Sequence, residues 1–86
     1  MRTYLMNQFD SKDFGNKAVV EKNAIAYNLY SYETLVASVN LESKGLEIYN
    51  MQSATTLRHI REFAQQHGYP KLSKKDMLPY FVERSK

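Results

Sequence analysis

Two histidines, His59 and His67, come first, because imidazole serves both metal binding and proton transfer near neutrality. They stand eight positions apart. At about 100° per residue they face different ways on a helix. There is no HExxH, and no Asp or Glu falls at ligand spacing with both rings. Cys is absent, which excludes disulfides, thiol catalysis and Cys-ligated zinc. Ser and Thr are plentiful, but no GxSxG elbow exposes one as a nucleophile. Three scattered glycines cannot build a phosphate-cradling loop. Glu42 and Glu47 flank a loop and read as solvated carboxylates. The expectation is a protein without catalytic residues, metal or cofactor.

The side chains left with chemistry to offer are cationic. Arg58, Arg61 and Gln65 cluster on one side of a helical stretch, and Lys71, Lys74 and Lys75 follow it. Together they could form one positive surface able to contact phosphates, base edges or an acidic protein. The bland reading is a wet helix face that happens to carry Arg. A second candidate is aromatic. Tyr30, Tyr32, Val36 and Tyr49 can share the sheet face turned away from the helices. Open aromatic faces stack single-stranded bases or form protein interfaces. Here the simplest expectation is that the N-terminal arm, with Phe9 and Phe14, covers that face.

The element that positions the cations spans 53–67. Ser53 is a natural N-cap. Leu57, Ile60, Phe63 and Ala64 fall within an arc of about 120°. Glu62, four residues after Arg58, is placed to pair with it. Gly68 offers a C-cap, Pro70 follows, and His67 can reach the last carbonyls. Ser73 to Asp76 has capping-box spacing, so a second helix starts at Lys74. Pro79 must kink or end it.

Before Ser53 the period is two. Residues 17–22, 24–32, 35–39 and 46–49 read as strands rich in β-branched and aromatic residues. Ile25, Tyr27 and Leu29 fall on one face, and Leu35, Ala37 and Val39 fall together. Gly45 is available for a positive φ in the loop from 40 to 45. Residues 10–13 and 15–16 read as turns, and 1–16 as an edge strand or an arm packing Phe9 and Phe14. Four short strands with tight connections make an antiparallel meander. The order gives an α+β fold, a small antiparallel sheet followed by two helices packed on one face.

Eighty-six residues suit one domain, 1–86, with a modest core. The net charge of +3 is unevenly spread. Residues 1–52 carry five Lys/Arg and six Asp/Glu, against seven and three in 53–86. The basic character therefore lies with the helices. No apolar run approaches the ~20 residues of a membrane span. Residues 1–8 lack the apolar core and cleavage site of a signal peptide.

The run Tyr49-Asn50-Met51-Gln52-Ser53-Ala54-Thr55-Thr56-Leu57-Arg58-His59-Ile60-Arg61-Glu62-Phe63 resembles a family of small phage and mobile-element proteins of Gram-positive bacteria. In that family Ser-Ala-Thr-Thr opens a helix containing Arg-His-Ile and Glu-Phe. Asn7-Gln8-Phe9-Asp10-Ser11, the segment 29–37 and Lys74-Lys75 look similar too. Met51-Gln52 departs from the pattern, where an aromatic would precede Ser-Ala-Thr-Thr. The resemblance implies a phage-encoded accessory protein in the bacterial cytoplasm, with no agreed catalytic residues. By analogy with such proteins it implies a binding inhibitor of host machinery, anti-CRISPR proteins included.

The leading expectation is thus a non-enzymatic inhibitor of a bacterial nucleic-acid-handling complex, acting through the basic helical surface. Its partner would be a protein or ribonucleoprotein, with no membrane involved, and self-association is compatible with it. A positive net charge argues against DNA mimicry. The alternative is a small regulator that binds DNA or RNA directly.

Overall fold

The computed structural model describes residues 2–6, 8–10, 14, 17–51 and 53–82. The turns read at 10–13 and 15–16 lie, Asp10 apart, outside the described residues. Five strands run in order: β1 (Arg2–Tyr4), β2 (Ala18–Lys22), β3 (Ala26–Ser31), β4 (Thr34–Asn40) and β5 (Leu46–Ile48). Every neighbouring pair is antiparallel, so the sheet is a simple meander. Helix α1 (Ala54–Gln66) and the short α2 (Lys74–Met77) follow, then a 3₁₀ turn at Leu78–Tyr80. The fold is α+β, with one strand more than the four clear period-2 runs. The additional strand, β1, comes from the region read as an edge strand or arm.

The helix forms where cap and period agree. Ser53 Oγ accepts the Thr56 N–H at 3.1 Å. Gly68, at φ 93°, closes the other end. Its N–H reaches the Gln65 carbonyl, and the Tyr69 N–H reaches that of Ala64. These two hydrogen bonds make a Schellman ending. Ser73 and Asp76 form the reciprocal capping box of α2. Pro79 ends that helix by turning the chain into the 3₁₀ turn.

Ile60, Phe63 and Ala64 of α1 pack with Leu29, Val36, Ala37, Val39 and Ile48 of the sheet. Leu72 and Met77 join the same core, so both helices cover one face. Several face assignments change. The pairing of β3 with β4 shifts register between Leu29 and Tyr30. Val36 is the unmatched residue of this bulge, and the bend turns it into the core at 1% exposure. Leu35, expected beside Ala37 and Val39, instead sits opposite Tyr30. Ile25 is exposed in the β2–β3 loop rather than buried with Leu29. The positive φ near Gly45 belongs to Lys44. The β3–β4 turn places two non-glycine residues, Tyr32 and Glu33, at φ 51° and 67°. Among the described residues no helix is long and apolar enough to cross a membrane.

Candidate functional site

The helix buries more than its apolar stripe. Thr56, His59 and Glu62 are buried beside Ile60, Phe63 and Ala64. The covered arc therefore spans about 200° rather than about 120°. The additional coverage comes from residues 8–10 at Glu62, from Phe14 at His59 and from Ser31 at Thr56.

Glu62 holds the 8–10 segment. Its carboxylate accepts the backbone N–H groups of Gln8 at 3.0 Å, Phe9 at 3.0 Å and Asp10 at 2.7 Å. Gln66 Nε2 donates to the same carboxylate and to the Met6 carbonyl, at 2.6 Å each. Three successive N–H groups converging on one oxyanion form a backbone nest. Burial pushes the Glu62 carboxyl up, but the bonds from Gln66 and from the Asp10, Gln8 and Phe9 backbone outweigh it. The group ends below its ordinary value. Glu62 does not pair with Arg58 as the i, i+4 spacing suggested. Arg58 instead meets Asp10 at 3.1 Å and lies over the Phe14 ring.

His59 is interior too. Its Nδ1 lies 2.8 Å from Ser31 Oγ, whose other neighbour is Thr56 Oγ1 at 3.4 Å. Burial, then the nearby Arg58 and Lys17 charges, lower its pKa to about 4, against the pull of Asp10. The ring is therefore neutral at pH 7. A serine beside an imidazole has the composition of a nucleophile and its base. Here Ser31 and His59 are only 2% and 1% exposed, and the Phe14 ring packs edge-on against the imidazole. The pair is sealed and serves as a satisfied core contact. His67 does not turn to the helix-terminal carbonyls. Its ring packs between Tyr27 and Phe63.

The structure divides the six cationic-surface residues. Arg61, Gln65 and Lys71 line one polar cleft of about 250 Å³ together with Phe9, Asp10 and Glu62. Arg61 is committed inward through an Nε bond to the Leu72 carbonyl. Arg58 lies beside this cleft on Asp10. Lys74 and Lys75 are exposed on α2 and do not line the cleft. Arg58 and Arg61 thus both contribute to holding connecting segments on the helix.

The aromatic candidates fare differently. Phe14 is buried against the helix and Phe9 is 56% exposed, so neither covers the outer face of the sheet. The expected shielding of Tyr30, Tyr32 and Tyr49 by the arm is corrected. By strand alternation the outer face carries Arg2 and Tyr4, Val19 and Glu21, Asn28 and Tyr30, Leu35 and Ser38, and Glu47. Tyr49 follows in phase beyond β5 and donates to Glu47 at 2.6 Å. Tyr30 donates to Glu21, and the Arg2 guanidinium lies 4.9 Å from its ring centre. Tyr32, in the strained turn, joins Tyr30, Arg2, Lys17, Val19 and Glu33 around a cleft of about 270 Å³. At the other end Tyr49, Glu47, Ser38, Asn40 and Ile25 line one of about 420 Å³. Both clefts lie on or at the rim of the face opposite the helices.

Sequence reasoning missed Glu62 and His59 as organising residues. A usable signal existed: Thr56, His59, Glu62 and Gln66 form a polar row along the edge of the apolar stripe. The chain belongs to a family of unknown function, DUF8033, whose model matches residues 3–78. No curated protein and no solved structure matches it.

Proposed function

We propose that the protein is a non-enzymatic binding protein whose contact surface is the open face of its sheet. The observation that supports this reading is the contrast in cover. Helices and the N-terminal segment pack on one face, while Val19, Tyr30, Leu35 and Tyr49 stand half-buried on the other. Tyrosines interleaved with Glu21, Asn28, Ser38 and Glu47 give the mixed composition of a protein interface. The charges on this face, Arg2 and Lys17 with Glu21, Glu33 and Glu47, carry no basic excess, which favours a protein partner over nucleic acid. The partner's membership of a bacterial nucleic-acid-handling complex, and inhibition in the host cytoplasm as by an anti-CRISPR protein, rest on the resemblance of 49–63 and on the basic helical side. That side would then lie next to the complex's nucleic acid.

One observation favours a second reading, direct binding of DNA or RNA. Lys71, before α2, and Lys74 and Lys75, in its first turn, are all exposed. Affinity capture from a bacterial host, with and without nuclease, separates the two. The first reading expects nuclease-resistant recovery that Tyr30→Ala with Tyr49→Ala abolishes. Recovery that is nuclease-sensitive, salt-dependent and lost on replacing the three lysines would replace it with the second.

A further inference from the structure

The two edges of the sheet are finished differently. Beyond β5, the Val82 N–H donates to the Ile48 carbonyl at 2.8 Å, and Phe81 forms a parallel bridge with Ile48. That edge is capped by the returning chain. At the other edge, no described residue pairs with the outer side of β1, and Arg2, Thr3 and Tyr4 are all exposed. Further along the same arm Met6 is 65% and Phe9 56% exposed. A bare edge with apolar neighbours is a template for another strand.

We propose that this edge pairs with β1 of a second copy of the chain, antiparallel and centred on Thr3. The backbone fixes the register. Leu5 donates its N–H to the Ala18 carbonyl of β2 at 2.8 Å. Strand groups alternate, so Thr3 also faces β2, and the N–H and C=O of Arg2 and Tyr4 point outward. A two-fold antiparallel pair must use those groups. Centring on Arg2 sets like charges opposite each other, which disfavours it. Centring on Tyr4 requires the Met6 carbonyl, which already accepts the Gln66 amide at 2.6 Å. Centring on Thr3 needs only Arg2 and Tyr4, each exchanging both backbone bonds with the other in the second copy.

The side chains agree with that register. Arg2 of one copy lies opposite Tyr4 of the other on the outer face, so the 57% exposed Tyr4 ring would join the cluster that Arg2 already forms with Tyr30 and Glu21. Thr3 meets Thr3 on the helix side, a favourable cross-strand pair. The contact is isologous and closes at two copies. Three residues of pairing make a small interface, so the association is weak, in the micromolar range or above. It would join two open faces into one continuous sheet. It goes beyond the binding role proposed above and stands without it.

Sedimentation equilibrium of the full chain tests this over roughly 10–500 μM, the range such a small interface implies. A reversible monomer–dimer equilibrium is expected. Tyr4→Pro removes an outward N–H and leaves the β1–β2 ladder intact. It should weaken dimerisation at least tenfold, with an unchanged circular dichroism spectrum. The chain has no Cys, so a single Thr3→Cys reports the register. Across the two-fold it forms a non-hydrogen-bonded pair with Cα atoms about 4.5 Å apart, close enough for a disulfide. Oxidation should give covalent dimer with Thr3→Cys and much less with Ser43→Cys. A chain monomeric throughout the range overturns the proposal. So does a dimer that neither Tyr4→Pro weakens nor Thr3→Cys traps, or faster trapping with Tyr4→Cys.

Discussion

The two faces of the sheet use the same residue types for opposite ends. On the helix side the buried polar side chains among the described residues have partners: Glu62 takes three backbone N–H groups and His59 takes Ser31, while the half-buried Arg61 takes the Leu72 carbonyl. On the outer side, tyrosines and carboxylates pair with one another at the surface, as Tyr49 does with Glu47. The first arrangement ties distant segments of chain together and is worth stability. The second orders a surface that the fold does not need. A positive charge or a tyrosine is thus no guide to function until its partner is known.

Substitutions should separate the faces by size of effect. Phe63→Ala empties the centre of the covered face and should cost about 3–5 kcal/mol by urea denaturation. Glu62→Gln removes the charge and turns one of the two accepting oxygens into an NH2 that faces the N–H groups of the 8–10 segment. Its cost should be about 2 kcal/mol, with faster amide exchange at Gln8, Phe9 and Asp10. Removing either Arg58 or Asp10 alone should cost less, because that pair is partly solvated.

Acid should act on the same face. His59 keeps its pKa near 4 in the fold and about 6.5 when unfolded, so between these values the unfolded chain binds the additional proton. Stability should therefore begin to fall as pH drops below about 6.5. Glu62 has a lowered folded value, so its contribution is present above its ordinary 4.5 and is lost as pH falls through the folded value. Melting temperature measured from pH 7 to 4 should decline throughout, and the decline should be shallower in His59→Gln.

At the rim, Glu33→Gly relieves a residue held at φ 67° and should raise stability by about 0.5–1 kcal/mol. On the outer face itself, Tyr49→Ala should change stability by no more than about 0.5 kcal/mol. A larger loss there would mean that the face is structural after all.

The α+β order was legible because its signals are local. Ser53, Gly68 and the Ser73–Asp76 box mark ends within a few residues of themselves, and the change from period two to period 3.6 marks the start of α1. The faces of β4 were not legible. A bulge adds one residue to the pattern, and nothing in Leu35-Val36-Ala37 says which of the three is the extra one. The polar row marked Glu62 as unusual, but its partners were not legible. Its partners are backbone groups 52 to 54 residues away, and backbone N–H leaves no mark in a sequence. The commitments of Arg58 and Arg61 were not legible either, because Asp10 and the Leu72 carbonyl come near only in the fold.

The central claim is that partners meet the outer face of the sheet. It is tested most directly by placing a photo-crosslinking phenylalanine analogue at Tyr49 or at Gln65 and irradiating each variant in nuclease-treated host lysate. A discrete protein adduct is expected from position 49 and none from position 65. An adduct from position 65 alone would contradict it and return function to the helical side.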